Sequence, residues 1–137
     1  MSKISAYINF NNNNCREAMT FYKDCLGGEL TLTVVKDSPM AAMFPAEVQD
    51  TILHADLTAA DFNLLGSDMQ DPSVKEKTGG QVSLTLTCAN KAEMQSIFNK
   101  LAMGGTITHA PETFFAGTMG NLLDKFGIRW GVFTDEK

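Results

Sequence analysis

The chain has 137 residues, 44% of them hydrophobic and 20% charged, with a formal net charge of −5. That length suits one domain that folds without disulfides or metals, and the composition excludes wholesale disorder. The acidic balance, with no basic stripe, disfavours nucleic acid as a partner, and no apolar run approaches the ~20 residues a membrane span needs.

In chain order, Lys3 to Phe10 alternates Ile4, Ala6, Ile8 and Phe10 with Ser5, Tyr7 and Asn9, the period of a half-buried strand. Asn11 to Asn14 interrupt this only early apolar stretch, so the N-terminus does not read as a signal peptide. A helix follows. Ala18, Phe21, Tyr22, Cys25 and Leu26 form one apolar stripe, Asn14 and Glu17 stand at capping-box spacing, and Gly27-Gly28 supply a stop. Glu29–Val35, Thr51–Leu57 and Phe62–Ser67 read as strands, with a turn over Thr58 to Asp61. Residues 69–79, with Pro72, read as a linker.

The pattern then returns. Gln81–Thr87 alternates as a strand. Asn90 and Glu93 repeat the cap, Met94, Ile97, Phe98, Leu101 and Ala102 repeat the stripe, and Gly104-Gly105 repeat the stop. Caps and stripes recur at an offset of 76 residues, which points to duplication. Further strands are expected at Thr106–His109, Thr113–Met119 and Ile128–Thr134, with a hairpin turn over Asp124 to Gly127. Each half is thus βαβββ: repeat 1–68, linker 69–79 and repeat 80–137, within one domain. Strand faces turned away from the helices are moderately polar, and are either solvated or a binding surface.

Ile4-Ser5-Ala6-Tyr7-Ile8-Asn9-Phe10, Asn14-Cys15-Arg16-Glu17-Ala18-Met19, Phe21-Tyr22 and Cys25-Leu26-Gly27-Gly28-Glu29-Leu30 resemble the opening of PhnB-like proteins. So do Gly66-Ser67-Asp68 and Asp124-x-Phe126-Gly127-x-x-Trp130. The resemblance covers nearly the whole chain. It is to the PhnB-like branch of the vicinal-oxygen-chelate superfamily, which includes glyoxalase I, extradiol dioxygenases, fosfomycin-resistance enzymes and bleomycin-binding proteins. It implies an α+β fold of paired βαβββ modules forming an open, U-shaped mixed sheet around a ligand cleft, and a homodimer. The metal enzymes of the superfamily carry ligands on the first strand of each module and on the last strand, with an optional one on the fourth. Carried over, these positions are Ser5, Gln81, Gly131 and Asn63. The His/Glu set is absent, so no metal or other cofactor is expected. The branch also carries a demethylubiquinone methyltransferase label, but no glycine-rich strand-to-helix turn stands here to cradle a nucleotide-like cofactor.

Ser5, Tyr7, Asn9, Asn63, Ser67, Gln81, Ser83, Thr85 and Arg129 share the expected cleft face by strand parity. Arg129 there could hold a carboxylate or phosphate, or be a solvated edge residue. Trp130 reads as core with a partnered N–H. His54 lies in an alternating strand and could serve as acid or base, although a hydrogen-bonded surface role is the plainer reading. His109 reads as a loop residue at a strand end. Residues 37–50, with Met40, Met43 and Phe44, form a lid or an interface. Cys15, Cys25 and Cys88 lack zinc-type spacing and read as reduced thiols of a cytoplasmic protein.

The expected function is metal-independent binding of a small organic molecule, with Met40, Met43, Phe44 and Phe133 as apolar wall. The alternatives are a metal-dependent lyase, isomerase or dioxygenase, and a metal-free enzyme using His54 or Tyr7 as acid or base. The expected partners are that ligand and a second copy of the chain, with no nucleic acid and no membrane.

Overall fold

A computed structural model describes residues 3–10, 12–68 and 82–137. In chain order the elements are β1 (Ala6–Asn9), α1 (Cys15–Leu26), β2 (Glu29–Val34), β3 (Ile52–Thr58), β4 (Asn63–Ser67), β5 (Leu84–Thr87), α2 (Lys91–Ala102), β6 (Thr106–Phe114), β7 (Gly117–Leu123) and β8 (Arg129–Thr134). The chain divides into two units, residues 1–76 and 77–137. The expected linker 69–79 and Gln81 lie outside the described residues. Among the described residues no helix is long and apolar enough to cross a membrane.

Among the described residues each unit is a four-stranded mixed sheet with one α-helix. The first sheet runs β1-β4-β3-β2 and the second β5-β8-β7-β6, the same order repeated. In each, the first strand pairs in parallel with the last, and the other pairs are antiparallel. These are the expected βαβββ modules of an α+β fold.

The helical stripes meet the apolar side of their own sheet. Ala18, Met19 and Tyr22 of α1 are fully buried, as are Ala55 and Leu57 of β3. In the second unit Met94, Phe98 and Leu101 of α2 close over Leu122, Trp130 and Val132. Each large side chain removed from water this way stabilises the fold by about 1.5–3 kcal/mol, which outweighs the modest propensity of either 12-residue helix alone.

The two helix starts differ from each other, and that of α1 differs from expectation. Asn90 accepts the Glu93 N–H at 2.8 Å, as its spacing implies. Asn14, with φ −113° and ψ 20°, makes no side-chain cap bond. The role passes to Asp68, just after β4, whose Oδ1 accepts the Cys15 N–H at 2.9 Å and whose Oδ2 accepts the Ile52 N–H at 2.9 Å. In the second unit Glu136, just after β8, accepts from the Lys91 N–H at 3.3 Å. In both units a carboxylate following the last strand thus holds the first helical N–H.

Several boundaries move. β1 is shorter than expected, and Ile4 is 99% exposed rather than part of a buried row. Residues 106–123 are one long hairpin, not strands at 106–109 and 113–119. β6 runs through Pro111 to Phe114, the chain turns over Phe115 and Ala116, and β7 begins at Gly117. Pro111 is tolerated because β6 is an edge strand and its pairing with β7 shifts register on either side of His109. His109 therefore lies within a strand, exposed, and not in a loop. The turn over Asp124 to Gly127 forms as expected, with Gly127 at φ +87°.

Candidate functional site

The open face of the first sheet is built by alternation. In β2, Leu30 and Leu32 turn toward α1 and leave Glu29, Thr31 and Thr33 on the other side. In β3, Ala55 and Leu57 are buried and leave His54, Asp56 and Thr58. The antiparallel register sets Glu29 opposite Thr58, Thr31 opposite Asp56 and Thr33 opposite His54. These six side chains line a shallow concavity of about 300 Å³. A bulge between Thr33 and Val34 ends the regular pairing just beyond His54.

Two neighbouring strands complete this face. β4 places Asn63 opposite Thr58 and Leu65 opposite Asp56, and β1 places Tyr7 beside Leu65. The Tyr7 ring reaches across β4 to His54, with ring centroids 5.8 Å apart and planes at 43°. Asn63 Nδ2 donates to Asp56 Oδ1 at 2.8 Å, and the Thr58 hydroxyl donates to the same oxygen. One carboxylate oxygen is thereby fixed in place by two donors. The lining offers carboxylates and hydroxyls as acceptors and an imidazole that can donate or accept, and it contains no lysine or arginine.

The second unit has a corresponding open face. Register places Thr85 beside Gly131 and Thr87 beside Phe133, with Asn121 and Met119 opposite them on β7. Ser83 and Arg129 are exposed. Phe133 is half-buried and its ring stands 6.2 Å from that of Phe114. A Cβ on Gly131 would lie 2.8 Å from Met119 Cε and 3.2 Å from Asn121 Nδ2. Those two side chains thus fill the space over the strand that a carboxylate at this position would need.

This bears on the metal positions that the resemblance implies. Ser5 offers a hydroxyl and Gly131 offers nothing. The Asn63 amide is engaged with Asp56 and Thr58. Among the described residues no group of three or more His, Cys, Asp or Glu side chains converges. Among the described residues such a donor set does not fit a divalent ion, which needs three or more good N, O or S ligands.

The remaining candidates fall elsewhere. Ser67 is 1% exposed and its hydroxyl donates to the Leu53 carbonyl at 2.9 Å. Met43 is 76% exposed and Phe44 half-buried. Both sit in the segment 37–50, which is wound into short 3₁₀ turns and stapled by Gln49 Nε2 to the carbonyls of Ala41 and Phe44 at 2.8 and 2.9 Å. Glu29, Thr31, Thr33 and Asp56 were not among the expected site residues, although the strict alternation of β2 and β3 is visible in the sequence.

A second concavity of about 520 Å³ lies at the start of α1, beside Asn14, Arg16, Asp50 and Asp68. Cys15 beneath it is fully buried, and burial, reinforced by the charge of Asp68, pushes its thiol up to about 12. That thiol is not a nucleophile at neutral pH. Cys25 and Cys88 are likewise buried.

The chain has relatives along its whole length. Residues 2–133 match the model of a family described as 3-demethylubiquinone-9 3-methyltransferase. The protein YjdN of Escherichia coli is 34% identical over 139 residues, covering 94% of this chain and 92% of YjdN. The crystal structure of protein PA1353 from Pseudomonas aeruginosa is 33% identical, covers 100% of both chains and superposes with a TM-score of 0.85. A glyoxalase/bleomycin resistance protein/dioxygenase family enzyme from Burkholderia phytofirmans, 13% identical over 96% of this chain and 94% of its own, shares the fold with a TM-score of 0.61.

Proposed function

This chain belongs to the PhnB-like 3-demethylubiquinone-9 3-methyltransferase family, on the glyoxalase/bleomycin-resistance fold, and on that premise we propose that it binds a small organic molecule without a metal, on the open face of its first sheet. The observation that carries this reading is the concavity lined by Glu29, Thr31, Thr33, His54, Asp56 and Thr58, with Tyr7 against His54. Convergent polar side chains are what orient a bound molecule, and an aromatic ring beside them supplies apolar contact. A homodimer in the cytoplasm completes the reading; the resemblance supports the first and three buried cysteines without zinc-type spacing support the second.

The methyltransferase in the family description receives no support from the glycine pairs. Gly27 closes α1, its N–H bonded to the Lys23 carbonyl at 2.8 Å, and Gly104 follows the end of α2. Both are helix stops and not strand-to-helix turns of the kind that cradle a nucleotide-like cofactor.

The Tyr7–His54 contact favours one second reading, a metal-free acid–base enzyme, because a phenol and an imidazole then face the same ligand. Under that reading a bound compound is converted during incubation, and His54→Ala abolishes conversion even at saturating compound.

The test is an amide-resolved NMR screen of a diverse small-molecule library. A compound whose shifts concentrate on Thr31, Thr33, His54 and Asp56, and whose affinity drops at least tenfold in His54→Ala, supports the site. A library of several hundred compounds that perturbs none of these amides overturns it.

A further inference from the structure

We infer that the ligand of this face is an organic cation, a protonated primary amine carried on a small flat body, rather than a neutral or anionic compound. The inference deepens the binding site proposed above and rests on it. Its first ground is charge. Two carboxylates, Glu29 and Asp56, line the hollow, no lysine or arginine does, and the chain as a whole carries −5. An anion brought there meets like charge with no lysine or arginine to offset it.

The second ground is geometry. Glu29 and Asp56 are diagonal neighbours across the β2–β3 pair, since Glu29 faces Thr58 and Thr31 faces Asp56. Diagonal positions stand about 7–8 Å apart, a gap that an ammonium group fills with one N–H toward each carboxylate. An ammonium has three donors, and the hydroxyl of Thr31, flanked by both, accepts the third. Asp56 is prepared for this. Asn63 and Thr58 both donate to Oδ1, which fixes the carboxylate plane and leaves Oδ2 to the ligand.

The third ground is the aromatic wall. Tyr7 is 46% exposed and lies against His54 at the end of the hollow away from Glu29. A flat body attached to the ammonium covers that ring, and a cation near a tyrosine face gains further from its quadrupole. Carboxylates at one end and an exposed ring at the other suit a compact aromatic amine better than a lone metal ion or a sugar.

The experiment uses the full chain and three probes of nearly equal shape: phenethylammonium, 2-phenylethanol and phenylacetate. Each is titrated by NMR and calorimetry. The expected result is that phenethylammonium shifts Thr31, His54 and Asp56, binds at least tenfold tighter than the alcohol, and weakens at least fivefold in Glu29→Gln and in Asp56→Asn. Glu29→Gln alters an exposed side chain at a strand end, so it tests the charge even where Asp56→Asn disturbs the Asn63 contact. Equal or tighter binding of the alcohol or the carboxylate at the same residues overturns the cation while leaving the binding site standing. A phenethylammonium affinity unchanged in Glu29→Gln and Asp56→Asn also overturns it. Failure of all three probes to shift these amides overturns the cation, and the unbiased library screen then decides separately whether the face binds anything.

Discussion

The indole N–H of Trp130 donates to Asp124 Oδ2 at 2.8 Å, joining the first turn residue of the β7–β8 hairpin to the core of the second unit. Oδ1 of the same carboxylate accepts the Phe126 and Ile128 N–H groups at 2.8 and 3.0 Å. Asp124 is 3% exposed and Trp130 is 3% exposed, so water cannot readily replace these bonds. Asp124→Ala is expected to cost about 3 kcal/mol and Asp124→Asn about half of that, because buried donors lose a charged acceptor. Trp130 is the only tryptophan, so its emission reports the urea transition directly. A loss below about 1 kcal/mol in Asp124→Ala shows that the hairpin closes without this clamp.

Asp68 and Glu136 follow the last strand of their units, one and two residues on, but differ in what they hold. Asp68 is 9% exposed and engages both oxygens at 2.9 Å, whereas Glu136 reaches Lys91 from solvent at 3.3 Å. Asp68→Ala should therefore cost about 2–3 kcal/mol and Glu136→Ala under about 0.5 kcal/mol. Chemical denaturation of the two variants side by side checks the order. Equal losses contradict it.

The Cys15 thiol makes stability depend on alkaline pH. Its ordinary value of 9.0 is pushed up to about 12 by burial and by Asp68. Between those values the unfolded chain loses the proton while the native chain keeps it. The native state then binds more protons, and stability falls as pH rises. The contribution is whole below about pH 9 and is lost progressively toward pH 12, at up to about 1.4 kcal/mol per pH unit. Urea midpoints taken at pH 8, 9 and 10 should decline less steeply in Cys15→Ala than in the parent. Parallel slopes exclude the thiol as their source.

Gly117 and Gly127 both have positive φ, +152° and +87°, yet they should respond differently to substitution. A Cβ at Gly117 meets the Thr134 carbonyl oxygen at 2.1 Å, while one at Gly127 meets nothing within 4 Å. Gly127→Ala should cost about 1 kcal/mol, the backbone strain alone. Gly117→Ala forces β7 from β8 and should cost more than about 3 kcal/mol. Thermal melts of both variants measure the difference; similar shifts would mean that the β7–β8 pair yields more easily than its packing implies.

What could be read from the residues followed the range of the interaction. Both helices, the duplicated order and the Asp124–Gly127 turn rest on signals within a dozen residues, and all appear as expected. Trp130 as a partnered core residue was also legible, because the hairpin residues stand beside it. Asn14 misled because the competing cap, Asp68, lies 53 residues away. Pro111 misled because its tolerance depends on β6 being an edge, a fact of sheet order. The candidate face needed register as well. Alternation marks Thr31 and Asp56 as outward, but only the strand order β1-β4-β3-β2 brings Tyr7 across Leu65 to His54.

The carboxylate that fastens each helix to the end of its own last strand bears on how such a chain could arise. A gene segment encoding one half carries both parts of that latch, Cys15 with Asp68 in one case and Lys91 with Glu136 in the other. A doubled segment of this kind needs no contact from outside itself to fasten its helix. In one unit the carboxylate is buried at the start of its helix, and in the other it stands in solvent.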